Sequence, residues 1–101
     1  MKKQIQDIAF DLDNTVTVIE GCVDTLADIE VEFGHLREGM DNAFDKGDEM
    51  HYYREHHRQV RVLSTLMIHV MEELKHSSGK AAELTQTLFK TVRKESEAAS
   101  A

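Results

Sequence analysis

The sequence predicts an all-α fold, a long antiparallel helical hairpin, and three observations carry that prediction. Apolar residues recur at every seventh position along two long stretches. One glycine-bearing break, Asp45-Lys46-Gly47-Asp48, separates the stretches. No proline interrupts either of them, and five glycines are spread over 101 residues. A seven-residue repeat held this long marks helices packed lengthwise in a left-handed supercoil. With charged residues at 31% and aromatics at 6%, the composition offers little to a β-sandwich or barrel.

The first helix is expected over about residues 3–45. Ile5, Leu12, Ile19, Leu26, Phe33 and Met40 occupy heptad position a. Ile8, Thr15, Cys22, Ile29, Leu36 and Ala43 occupy position d, and Thr15 is polar among them. Gly21, Gly34 and Gly39 fall inside the helix, each at a cost of about 1 kcal/mol against alanine, so the helix depends on tertiary packing. Ala9, Val16, Val23 and Phe44 widen the apolar stripe at position e. That width suits a bundle of several helices better than a bare two-stranded coil.

The turn is expected at residues 46–48. Gly47 can take the left-handed conformation that ends a helix, and Asp48 can begin the next one. The second helix follows over about residues 49–94. Its a series is Tyr53, Val60, Met67, Leu74, Ala81 and Leu88, and its d series is His56, Leu63, Val70, Ser77, Leu84 and Thr91. Ser77-Ser78-Gly79 reads locally as a stop and a new start, a possible bend or break at 77–79. The heptad phase nevertheless passes through without slipping, which favours one helix. Residues 1–95 form a single domain on this reading, and 96–101 a frayed tail. Folding about Gly47 sets Arg54, Arg58 and Arg61 beside Glu38, Asp41 and Glu32, and Lys75 near Glu20.

The charge is lopsided. The formal net charge is −7. Between Gln4 and Asp45 stand eleven acidic residues and one basic residue, Arg37; from Lys46 onward there are nine basic and eight acidic residues. A nonspecific nucleic-acid binder needs a positive face to neutralise phosphates, so direct DNA or RNA binding is not expected. Cys22 is the one cysteine, which excludes an internal disulfide and a cysteine-rich zinc site. No signal peptide or membrane-spanning run is read from the sequence, and the chain is expected to be soluble and cytoplasmic.

Four patterns could carry function. The run Ile8-Ala9-Phe10-Asp11-Leu12-Asp13-Asn14-Thr15-Val16 resembles the first motif of the haloacid dehalogenase-like phosphatases. That resemblance implies Asp11 as nucleophile, Asp13 as general acid-base and a magnesium ion between them. The heptad phase runs through the motif, however, and sets both aspartates on the outer flanks of a helix. Glu32-x-x-His35 and Glu73-x-x-His76 match the metal-binding pairs of di-iron bundles. Both histidines fall at the outward position c, and within one hairpin the pairs lie roughly 16 Å apart along the axis, so no metal or other cofactor is expected. His51, Tyr52, Tyr53, His56 and His57 cluster after the turn, with His56 and His57 placed to be half-buried. Glu20, Asp24, Asp28 and Glu32 form an acidic stripe at successive i,i+4 steps, a candidate docking face for a basic protein.

No constellation makes an active site, and the chain is not expected to be an enzyme. The leading expectation is a structural or interaction module that dimerises into a four-helix bundle and binds a protein partner. Val16, Val23, Leu66, Ile68 and Met71, apolar residues that two helices cannot cover, form the candidate oligomer interface. An acidic inhibitor that mimics DNA and occupies a nucleic-acid-binding protein is the alternative, and phosphatase-like use of Asp11 and Asp13 is the remote one.

Overall fold

A computed structural model describes residues 2–100, with side-chain surroundings described from Gln4 to Ala99. Two helices account for nearly all of them: α1, Lys2–Asp45, and α2, Glu49–Ser100. They pack against each other as a hairpin, and there is no strand among the described residues.

The turn between them is built by the backbone. Gly47 adopts φ of 72°, a conformation that costs a residue with a Cβ about 1–2 kcal/mol. The Gly47 amide donates to the Phe44 carbonyl at 3.0 Å, and the Asp48 amide donates to the Ala43 carbonyl at 2.7 Å. This pair of bonds is the Schellman closure, which satisfies carbonyls that the end of α1 would otherwise leave open. Asp48 then starts α2 through its own carbonyl, which accepts from the His51 and Tyr52 amides. Glu49 in the first turn of α2 places negative charge where the helix dipole favours it.

Along α1, all six d residues expected from the heptads are buried: Ile8, Thr15, Cys22, Ile29, Leu36 and Ala43. The a residues from Ile5 to Phe33 are half-buried, and Met40 is exposed. On α2 the d residues Leu63, Ser77 and Thr91 are buried and His56, Val70 and Leu84 half-buried. Position d therefore lies at the centre of the helix contact and position a on its edge.

Polar residues reach this seam because a helix offers them acceptors. Thr15 Oγ1 donates to the Asp11 carbonyl and Thr91 Oγ1 to the Thr87 carbonyl, both at 2.8 Å. Each hydroxyl is satisfied inside its own helix, so neither needs a partner across the seam.

α2 continues without a break through Ser77-Ser78-Gly79 and on to Ser100. Burial of Ser77 at position d holds the first of these sites in helix. Beyond residue 94, Glu95, Glu97, Ala98 and Ala99 are strong helix formers, which accounts for the helix running past its expected end.

Contacts divide the hairpin into two compact units. One joins α1 up to Gly21 with α2 from Glu73 onward, and the other is Cys22–Glu72. The second holds an apolar cluster of Ile29, Leu36 and Leu63, against which Phe33, Met67 and Val70 pack.

Candidate interaction surface

A helix with d at the centre of its contact has a on one side and g on the other, and e lies beyond a. The Cys22–Glu72 unit therefore has two distinct flanks. The g flank carries an open groove of about 490 Å³ bordered by Glu32, Gly39, His56, Gln59 and Val62. The a/e flank carries a groove of about 330 Å³ formed by Met40, Phe44, Tyr53, His56, His57 and Val60, with Glu49 also at its edge. The first is mixed in character; the second is walled almost wholly by carbon.

Large apolar side chains recur along the a/e flank, interrupted on α1 by the exposed Glu30 and Arg37. Phe44 is 71% exposed and Tyr53 62%, and Val23 and Met71 are each more than half exposed. On the helical wheel Ile68, also exposed, stands next to Met71 on the same side. Leu66 is exposed too, but it repeats the position of Gln59 and lies on the g flank. Within this unit the candidate interface residues thus divide, with Val23, Ile68 and Met71 on one flank and Leu66 on the other. Val16 occupies the exposed e position of α1 in the other unit.

The histidine cluster after the turn is organised by i,i+4 stacking. Tyr52 stacks on His56 with ring centroids 5.9 Å apart, and Tyr53 lies over His57 at 6.0 Å. His51 meets Tyr52 edge-on at 4.9 Å. His56 is half-buried, and a Cβ placed on Gly39 would stand 3.6 Å from its Nε2. His57 is exposed rather than half-buried, because position e lies beyond the edge of the helix contact.

The acidic stripe is exposed throughout: Glu20, Asp24, Asp28 and Glu32. Ion pairs among the described residues stay within one helix. His35 Nδ1 lies 3.9 Å from Glu32, and Arg58 lies 2.7 Å from Glu55. Arg58 was expected to turn to α1, but Glu55 three residues earlier on α2 reaches it first. The guanidinium hydrogen bond to Glu55, aided by Gln59, holds that carboxyl below its ordinary value of 4.5. The same bond, with the attraction of the carboxylate, raises Arg58.

Asp11 and Asp13 are exposed within one turn of α1, on different sides of the helix, and their backbone carbonyls accept from Thr15 and Thr17. The phosphatase-like run is therefore helical, with no strand-to-loop turn to converge the two carboxylates. Glu32 and His35 belong to the Cys22–Glu72 unit and Glu73 and His76 to the other. Among the described residues, no three His, Cys, Asp or Glu side chains group closely enough to hold a metal ion. No helix of the described residues is long and apolar enough to cross a membrane.

Sequence reasoning located the wide apolar stripe but missed its sidedness. Met40, Tyr53 and Val60 look like core residues by spacing and are exposed. Tyr53 alone carried a chemical signal, a hydroxyl at a position that a fully dry seam would fill with aliphatic carbon, whereas Met40 and Val60 carried none. Comparison with protein-family models, with curated proteins and with solved structures found no match for this chain.

Proposed function

We propose that this protein is a non-catalytic helical interaction module whose a/e flank is covered by a second copy, giving a four-helix bundle that presents its outer surface to a protein partner. The supporting observation is the set of large apolar side chains on the a/e flank of the Cys22–Glu72 unit, where Val23, Phe44, Tyr53, Val60 and Met71 are all exposed in one hairpin, with the charged Glu30 and Arg37 between Val23 and Phe44. Large apolar side chains gathered on one flank support association. Two hairpins set face to face bury a and e positions together, as in other four-helix bundles.

Sedimentation equilibrium at tens of micromolar provides the test. A dimer is expected, and Val23→Glu combined with Met71→Glu should return it to monomer with its helix content intact. A strictly monomeric wild-type chain would refute the reading.

A second reading is favoured by the exposure of the acidic stripe, whose charges α2 leaves open to solvent. On this reading Glu20, Asp24, Asp28 and Glu32 imitate a phosphate track and dock a basic, nucleic-acid-binding protein. Capture from the native host should then be salt-sensitive, and Asp24→Asn with Asp28→Asn should weaken it. Equal capture by wild type and variant would remove the idea.

A further inference from the structure

We infer that the second copy packs with its turn at the same end, so that α1 of each hairpin lies against α2 of the other. The inference rests on the self-association proposed above and specifies its geometry. Two face-to-face, two-fold arrangements bring the a/e flanks together. In one, the turns lie at the same end and α1 faces the partner's α2. In the other, the turns lie at opposite ends, and like helix faces like helix.

Charge separates the two. α1 is acidic along its length, with eleven acidic residues and Arg37 as the one basic residue between Gln4 and Asp45. From Lys46 onward acidic and basic residues nearly balance. Like-with-like packing apposes two strongly acidic helices. Unlike packing apposes an acidic helix to a nearly neutral one, twice over by symmetry.

The residues bordering the a/e flank sharpen the choice. They occupy position b, one step beyond e on the helical wheel. In the Cys22–Glu72 unit these are Ala27, Gly34 and Asp41 on α1, and Arg54, Arg61 and Ile68 on α2, all but Gly34 exposed. The closeness of Gly39 to His56 fixes the level of the two helices. At that level Asp41 stands opposite Arg54, Gly34 opposite Arg61 and Ala27 opposite Ile68. A same-end dimer keeps those levels across the interface. It sets a carboxylate against a guanidinium near the turn, gives the long Arg61 side chain a glycine to lie over, with Glu30 one turn away, and sets apolar against apolar in Ala27 and Ile68. Position b in the other unit follows the same rule of sign, with Asp13 and Glu20 on α1 and Lys75 on α2. Arg37, at position e of α1, is the exception in sign.

Two measurements test this. In a Cys22→Ala background, a nitroxide on Lys46→Cys reads the separation of the two turns by double electron–electron resonance. Same-end packing places the helices at ordinary bundle spacing and the labels within about 30 Å of each other. Opposite-end packing over residues 22–45 alone sets the turns about 35 Å apart, and full overlap on the order of 60 Å apart. A distance beyond the same-end range overturns the arrangement while leaving self-association standing.

In the otherwise wild-type chain, Arg54→Glu with Arg61→Glu should weaken dimerisation about tenfold or more, and Glu30→Arg with Asp41→Arg should do the same. Mixing the two variants should restore the wild-type affinity. Single variants that associate as tightly as wild type overturn the inference, because like-with-like packing makes each reversal neutral. A wild-type chain that sediments as a monomer overturns both this arrangement and the module from which it follows.

Discussion

Replacing Leu63 and Leu66 separately by alanine measures the sidedness of α2 in energy. The two leucines are three residues apart on one helix, yet Leu63 is 8% exposed and Leu66 46%. Leu63 packs in the cluster with Ile29 and Leu36. Truncating a leucine so placed removes its transfer free energy and leaves a cavity, a loss of about 2–5 kcal/mol in general. A seam between two helices collapses more readily than a globular core, which puts Leu63→Ala near the lower end, at about 2–3 kcal/mol. Leu66 has already kept nearly half its surface in water and leaves no enclosed cavity. With alanine's higher helix propensity partly offsetting the loss, Leu66→Ala should cost about 0.5–1 kcal/mol. Urea unfolding followed by circular dichroism, at one fixed protein concentration because association adds to stability, reads both values. Equal losses, or a larger loss at Leu66, would refute the placement of d at the centre of the contact.

Other outcomes follow from the turn, the polar seam and the ion pair. Gly47→Ala should destabilise the hairpin by about 1–2 kcal/mol in the same urea assay, since φ of 72° suits glycine and no crowding opposes the methyl. Thr15→Val should leave the melting temperature unchanged or raise it slightly, because the Asp11 carbonyl keeps its backbone partner and the hydroxyl is buried. Asp11→Asn should match wild type both in stability and in magnesium-dependent phosphate release, the latter at background level in each; a difference in release would revive the phosphatase resemblance. The carboxyl of Glu55 sits below its unfolded value, so any stability it contributes is fully present above about pH 4.5 and is lost as the pH falls through the lower, folded value. Glu55→Gln should remove that acid-side dependence, as measured by the urea midpoint across pH 3–6.

The helices and the turn were legible in the sequence because each has a local or periodic cause. Six residues at position d of α1 repeat without a slip, and all six are buried. Gly47 stands where the backbone needs a positive φ. The serines and glycine at 77–79 sent two signals, and the periodic one prevailed because Ser77 lies on the seam. The inequality of a and d was not legible. A heptad marks both as apolar, whereas the rotation of each helix about its own axis decides which is central, and rotation depends on all contacts at once. That rotation also decides the flank on which Val23, Ile68 and Met71 lie together while Leu66 lies apart. The partner of Arg58 was hidden for a different reason. An ion pair three residues away on the same helix needs no tertiary contact, and it forms ahead of one that does.

The turn at Gly47 also orders events in time. Closing a chain loop costs entropy that grows with the number of residues enclosed. Contacts in the Cys22–Glu72 unit enclose at most about fifty residues and as few as a handful beside the Schellman closure, whereas every contact between α1 and α2 in the other unit encloses more than that. Loop closure therefore favours folding that begins at the turn and zips outward, with each closed layer shortening the loop for the next. Opening should run in reverse. Amide hydrogens near Lys2 and Ser100 should exchange fastest and those around Ile29, Leu36 and Leu63 slowest, so the residues that anchor the proposed bundle are also the first to be in place to form it.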